Sequence, residues 1–178
     1  MRVVGGKYRG RRFTPPKKFP SRPTTDFAKE ALFNILVNRY DLEECSILDL
    51  FAGTSNISLE FLSRGAKNVL SVDSHRVSHQ FMVKTQSEIG DENWQIIRRD
   101  AFSFCDSPTE SFDIIFADPP FGLDGLGDLI ETVMKSEILN ENGVLIMEHG
   151  QENDFKDKTH FKEIRKYGGV NFSFFEKE

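Results

Sequence analysis

Asp118-Pro119-Pro120-Phe121 follows directly on the run Phe112-Asp113-Ile114-Ile115-Phe116-Ala117, and its residue types suit work on a planar amine. The largely apolar run, bounded by turn residues, predicts a strand buried on both faces of a parallel sheet. Two prolines cannot continue that strand as ladder donors, and they hold the backbone extended and stiff. The stiffness fixes the Asp118 carboxylate, the Pro119 carbonyl and the Phe121 ring relative to one another just past the strand's carboxyl end, where open α/β sheets bind ligands. Two acceptors and a stacking ring fit a planar group bearing an exocyclic amine.

Three more aspartates, Asp49, Asp73 and Asp100, fall at or near the ends of other predicted strands, so all four should share one rim. The turn Phe51-Ala52-Gly53-Thr54-Ser55 follows the first of them, and its glycine lets backbone amides approach a ligand closely at a helix N-terminus. Asp73 comes 24 residues after Asp49, near the interval at which an acid closing the second strand takes ribose hydroxyls in nucleotide-binding sheets. Taken singly, a strand-end aspartate is more often a helix cap or turn former. Four of them aligned with a glycine turn and a proline-locked strand point to a site. His75 and His79 have the i, i+4 spacing of metal ligands, but no third ligand accompanies them, and a solvated helix face is the better reading. Glu148-His149, ending a later strand, fits a turn and cap as well as a place near the pocket.

The elements that must hold this rim alternate. A helix to about Asn38 shows apolar stripes at Phe27, Ala31, Ile35 and at Leu32, Leu36, with Thr25 or Asp26 as its N-cap. Strands follow at Ile47–Phe51, Val69–Val72, Trp94–Arg98, Phe112–Ala117 and Val144–Glu148. A helix from about Ile57 to Ser63 is closed by Arg64-Gly65. Another, capped by Ser74, turns Val77, Phe81 and Ile89 inward and stops at Gly90. A loop from Gly122 to Gly127 leads into a helix carrying Leu129, Ile130, Val133 and Met134. Residues 161–167 and 170–175 read as an antiparallel hairpin. Strands separated by helices imply right-handed βαβ units: an α/β fold with a mostly parallel seven-stranded sheet, helices on both faces and the hairpin at its edge. Val4, Tyr8 and Phe13, between glycine pairs and singles, predict a further small N-terminal β-hairpin.

The chain has 178 residues, 38% hydrophobic and 29% charged, which suits one soluble domain rather than a disordered chain. No apolar run approaches a membrane span, and the basic start lacks the apolar core of a signal peptide, so a cytoplasmic location without membrane attachment is expected. Cys45 and Cys105 are isolated and make no disulfide framework or metal set. The net charge of −5 conceals a polarity: residues 1–22 carry eight Lys and Arg and no acid, leaving −13 on the remainder. That block, with Lys7, Arg9, Arg11, Arg12, Lys17, Lys18 and Arg22, is a candidate phosphate-backbone contact; the plainer reading is a solvated arm. It divides the chain into a basic hairpin and linker, 1–22, and a catalytic domain, 23–178.

Asp49-Leu50-Phe51-Ala52-Gly53-Thr54-Ser55 resembles the first motif of class I S-adenosylmethionine-dependent methyltransferases. Asp118-Pro119-Pro120-Phe121 resembles the (Asp/Asn)-Pro-Pro-(Tyr/Phe) motif of those that methylate amino nitrogens. More narrowly, the segments from Arg2 to Arg11, Arg22 to Asp26 and Glu30 to Leu36 are similar to the RsmD family of 16S ribosomal RNA guanine-N2 methyltransferases. The likeness extends through Leu62–Ala66, Glu148-His149 and Tyr167-Gly168. The resemblance implies a Rossmann-like class I methyltransferase using S-adenosylmethionine. Asp49 and Phe51 to Ser55 would hold the methionine part, Asp73 the ribose, and Asp100 the adenine amine, with Ala101 and Phe102 beside its ring. Asp118 and Pro119 would accept from the guanine amine while Phe121 stacks on the base. The basic arm and the loop from Arg22 to Asp26, with Thr24, would contact RNA, in an assembling or assembled small ribosomal subunit, with the protein acting as a monomer. The family motif usually has a second glycine where this chain has Ser55; a side chain there either crowds the methionine carboxylate or donates to it. The alternatives are amino methylation of DNA adenine or protein glutamine, or a catalytically inactive RNA-binding assembly factor. A nicotinamide-dependent reductase is more distant, since the first turn lacks the full glycine fingerprint.

Overall fold

The computed structural model describes residues 1–17, 19 and 24–177, so Lys18 and Arg22 of the expected RNA-contact set lie outside the described residues. Its strands are β1 (Ser46–Leu50), β2 (Asn68–Asp73), β3 (Trp94–Arg98), β4 (Phe112–Ala117), β5 (Leu139–His149), β6 (Phe161–Tyr167) and β7 (Val170–Glu176). They form a seven-stranded sheet in the order β3-β2-β1-β4-β5-β7-β6. The first five run parallel, and β7 pairs antiparallel with both β5 and β6. This is the α/β architecture expected from the alternation, with its edge hairpin.

Helices α1 (Asp26–Arg39), α2 (Asn56–Ser63) and α3 (Arg76–Ile89) pack on one face of the sheet, burying Leu32, Phe33, Phe61 and Met82 with Ile47, Phe116 and Phe172. The other face is covered by α4 (Ala101–Cys105) and α5 (Leu126–Lys135), over Leu48, Ile115 and Met147. Central strands covered on both sides favour apolar residues on both faces, which is why β1 and β4 read as nearly continuous apolar runs.

Capping chemistry decides several helix ends. The Thr25 side chain accepts from Ala28 N–H at 3.2 Å and starts α1, and Gly90 ends α3 at a φ of +65°. Ser74 does not cap α3; His75 holds the N-cap position, and its own N–H is taken by Asp73 at 2.7 Å. Two helix faces also differ from the spacing argument. Phe27 is 69% exposed, and the inward residues of α1 are Ala28, Lys29, Leu32, Phe33 and Leu36. In α3, Val77 is 42% exposed, while Ser78, Phe81, Met82 and Thr85 turn inward. The rotation of α1 has a cause in its one buried cation: the Lys29 ammonium donates to the Arg2 carbonyl at 2.6 Å and Asn56 Oδ1 at 2.7 Å, and lies 3.4 Å from Glu60.

The N-terminal arm closes through a single antiparallel bridge between Arg2 and Arg12, with turns between, rather than through two extended strands. It is bound to the body instead. Val3 and Phe13 enter the core shared with α1–α3, Val4 N–H donates to Glu60 at 2.9 Å, and Tyr8 Oη donates to Asp91 at 2.8 Å. Gly6 passes so near α2 that a Cβ there would lie 1.8 Å from the Ser63 carbonyl, at a φ of +70° that already favours glycine.

Candidate active site

β1 and β4 are neighbours, and their carboxyl ends open on one cavity. It is lined by Asp49, Phe51 and Gly53 from β1 and its turn, by Phe116 and Asp118 from β4, and by Thr24 ahead of α1. Ala52 and Thr54 complete the turn's share of the wall, and Asn56 and Ile57 add the start of α2. The turn is tightly folded: Ala52 N–H donates to Val72 O at 3.0 Å, and Ser55 N–H donates to Ala52 O at 2.6 Å. Phe51 and Ser55 both hold left-handed backbone, at φ of +58° and +59°. Such conformations persist in non-glycine residues where the surroundings enforce them, and they concentrate at ligand sites.

The four strand-end aspartates have distinct surroundings. Asp49 is buried and accepts from Ser58 through both the backbone N–H, at 3.1 Å, and the hydroxyl. Behind it Ser58 and Ser71 hydroxyls meet at 2.6 Å, and the Trp94 indole N–H donates to Ser71 at 2.8 Å, so the carboxylate is held from the sheet interior. Asp73 accepts from Gly53 N–H at 2.8 Å as well as from His75, tying the end of β2 to the turn after β1. Each of its oxygens keeps a lone pair for a further donor. Asp100 is exposed and caps α4, accepting from Ser103 N–H at 3.0 Å. Phe102 of α4 reaches back to the cavity turn, its ring 6.4 Å from that of Phe51, and Ala101 is buried. Ser55 is fully buried with an unpartnered hydroxyl among the described residues and does not line the cavity.

Asp118 is half-buried at the end of β4, its backbone N–H 3.4 Å from Leu50 O. Pro119 is buried and Pro120 exposed; Leu123 N–H donates to Pro120 O at 3.2 Å, a turn that leaves Phe121 79% exposed. Glu148, next to His149 at the end of β5, accepts from the Thr24 hydroxyl at 2.7 Å, with both residues buried. Thr24 is therefore part of the pocket wall and not of the exposed basic surface. His149 turns away: its ring meets Gly150 O and Ser173 Oγ, each at 2.8 Å, and packs on Phe155. The arm cations Lys7, Arg9, Arg11, Arg12 and Lys17 are all exposed, two of them with partners on the body. Lys7 pairs with Asp91 at 2.9 Å, and Arg11 donates to Glu88 O at 3.2 Å and lies over the Tyr8 and Phe13 rings.

Asn56 is a wall residue that spacing alone left unassigned, and Glu148, bonded to Thr24 of the wall, is one whose place spacing left open. Asn56 holds the wall together, donating to Thr24 O at 2.8 Å while accepting from Lys29. No pattern within α2 marks that role, because its partners lie 32 and 27 positions earlier.

The cavity is acidic. Burial pushes the Asp49 carboxyl up to about 7, with Asp73 and Glu148 adding to the rise. Burial also pushes Glu148 up to about 7. Burial, then Glu148 and Asp49, raise Asp118 well above the usual carboxylate range. Carboxyls crowded in low dielectric favour a cationic guest, which would restore their ionised forms. A stability consequence follows. Acids whose pKa is higher in the folded than in the unfolded chain lose stability as pH climbs from about 4 to the folded value. The melting temperature of the ligand-free protein should thus fall as pH rises through the interval ending near 7. Burial lowers the His149 pKa, which acts in the opposite sense below about 6.5. The diagnostic is the difference between proteins: Glu148→Gln should flatten the fall, and equal pH slopes in calorimetry would exclude this charge crowding.

A family described as Conserved hypothetical protein 95 matches residues 1–176. The Escherichia coli (strain K12) ribosomal RNA small subunit methyltransferase D is 31% identical over 153 residues, 86% of this chain and 76% of that protein. The solved structure of Escherichia coli yhhF superimposes with a TM-score of 0.89 at 26% identity, covering 100% of this chain and 98% of the other. The fold is also that of a Thermus thermophilus 16S rRNA N2 methyltransferase, RsmC, solved with AdoMet and guanosine. That match has a TM-score of 0.71 at 21% identity, over 90% of this chain and 45% of the other.

Proposed function

This chain belongs to the Conserved hypothetical protein 95 family, the RsmD family of ribosomal RNA methyltransferases, and on that premise we propose that it methylates the N2 amine of a guanine in 16S ribosomal RNA. The observation that carries the reading is the junction of two features at adjacent strand ends. An acidic cavity suited to a cation lies under the turn after β1, and a proline-locked acceptor pair with an exposed ring stands beside it after β4. S-adenosylmethionine fits the first, since its sulfonium and ammonium groups answer the crowded carboxyls. Asp49 and the Phe51 to Thr54 turn would hold its methionine part, Asp73 the ribose, and Asp100, Ala101 and Phe102 the adenine. Ser55, with its hydroxyl off the cavity, supports the turn from behind. When bound, the cofactor supplies an electrophilic methyl group.

This chain's residues do the rest. Phe121 offers an open face to a base drawn out of its stack. The Asp118 carboxylate and the Pro119 carbonyl accept the two N–H bonds of the amine, which orients the nitrogen lone pair toward the cavity. That lone pair is delocalised into the purine, so alignment and loss of conjugation matter more than prior deprotonation. Asp118 takes the released proton at a carboxylate oxygen as the new N–C bond forms. Residues 23–178 carry this chemistry, while residues 1–22 guide the RNA. The protein acts as a monomer in the cytoplasm, on rRNA within an assembling or assembled small subunit. Among the described residues no helix is long and apolar enough to cross a membrane.

Incubating the protein with methyl-labelled cofactor and small subunits or rRNA from cells lacking it, then mapping the label, tests the reading; label on DNA adenine or on protein alone would overturn it. The arm gives a second expectation. Reversing Arg9, Arg12 and Lys17 to Glu should weaken RNA binding and reduce the slope of log K against log salt by about 0.7–0.9 for each phosphate that is no longer neutralised. An unchanged slope would remove the arm from the interface.

A further inference from the structure

We propose that Phe27 and Tyr167 form a second stacking surface at the pocket mouth that takes an unpaired base flanking the target guanine. This inference rests on the RNA-methylation reading and deepens it. Phe27 and Phe121 are the two most exposed large hydrophobic side chains among the described residues, at 69% and 79%. Phe121 has a task in the reading above; Phe27 has none in the fold. Its helix buries the next residue, Ala28, completely, so the ring stands outward on a fixed backbone.

Its position ties it to the pocket. Thr24, three residues earlier, lines the cavity and is bonded to Glu148 on β5, the strand beside β4. From there the chain enters α1 and carries Phe27 over the end of β6. Its ring meets Tyr167 with centroids 6.2 Å apart at 77°. The hairpin tip between Tyr167 and Val170 lies at the ligand rim, because Asn171 pairs with His149 at the carboxyl end of β5. Rings then continue inward: Tyr167 lies 6.0 Å from Phe172, and Phe172 lies 6.3 Å from Phe116, which lines the cavity. The outer pair is thus backed by buried rings as far as the pocket wall.

A ring held edge-on by its neighbour keeps a face for a planar partner, and bases of splayed single strands are bound by stacking on such faces. A nucleic-acid strand is favoured over a protein partner by this continuity with the base pocket.

The test measures binding and methyl transfer separately. Fluorescence anisotropy with deproteinised small-subunit rRNA should show about a tenfold loss of affinity for Phe27→Ala, with recovery in Phe27→Trp. Cofactor affinity and melting temperature should stay unchanged, since the ring is outside the core. A short RNA carrying an abasic site beside its guanine should bind wild type and Phe27→Ala alike. Equal affinities of the two proteins for intact rRNA, or no rRNA binding by wild type, would overturn the proposal. So would a loss seen only with protein-containing subunits, which would mark a protein contact. Phe27-dependent rRNA binding without methyl incorporation by wild type would leave the stacking surface standing and defeat the enzymatic reading instead.

Discussion

Asp118→Ala should lower methyl transfer by about 10²–10⁴-fold while cofactor binding, followed by calorimetry, persists. The asymmetry arises because the two halves of the site are held separately. Asp49 is fixed by Ser58 and the chain of hydroxyls behind it, and the glycine turn by Asp73. Asp118 stands on β4 with its carboxyl committed to neither network. Removing it strips one of the two acceptors that orient the amine and the one group placed to take its proton. Asp118→Asn separates these roles, since its amide oxygen still accepts but takes no proton. Activity near that of Asp118→Ala would assign the effect to proton acceptance, and substantial recovery would assign it to orientation. Near-normal turnover in Asp118→Ala would sink the catalytic assignment.

This outcome is legible in the sequence because β4 is unusual in three ways at once: a largely apolar run, a carboxylate just past its end and two prolines that forbid continuation. The turn after β1 is readable for a similar reason, as a strand followed by small residues and a glycine. The aspartates are less uniform than their shared position suggests. Asp100 spends one oxygen on capping α4, a five-residue helix too short to show an apolar period, whereas Asp49 is held by Ser58 of α2, itself backed by Ser71 of β2, an arrangement no local pattern reveals. Glu148 is ambiguous in sequence for the same reason: its partner, Thr24, lies 124 positions earlier. The N-terminal arm offers apolar residues compatible with a hairpin. Its order comes instead from docking on α2 and on Asp91 at the end of α3, contacts 55 to 83 positions away.

The largest departure from the pattern is in α1, and it sets the largest expected effect on stability. Periodicity takes the stripe through Phe27, Ala31 and Ile35 as inward, because lysine is ordinarily assigned to solvent. The side chain of Lys29 is instead wholly buried. Burial lowers its pKa and Glu60 opposes that shift. Its ammonium joins the arm, α1 and α2 through Arg2 O, Asn56 and Glu60, and Glu60 in turn receives Val4 N–H and Arg64. Lys29→Ala leaves the Glu60 carboxylate short of a partner and two further acceptors unmet, so a loss of about 3–5 kcal/mol is expected. For a chain of this size that is a fall of roughly 10 °C or more in melting temperature. Removing both charges, as Lys29→Met with Glu60→Gln, should cost less than Lys29→Ala alone, since the group that loses the ammonium is then neutral and its amide oxygen still accepts from Val4 N–H or Arg64. If Lys29→Ala melts like wild type, the ammonium does not hold this junction. If the double variant is the weaker protein, the ion pair contributes more than its desolvation takes away. Because Asn56 bonds both Lys29 and Thr24 in the cavity wall, the same substitution should also weaken cofactor binding, which links the buried lysine of α1 to the acidic pocket beside Asp118.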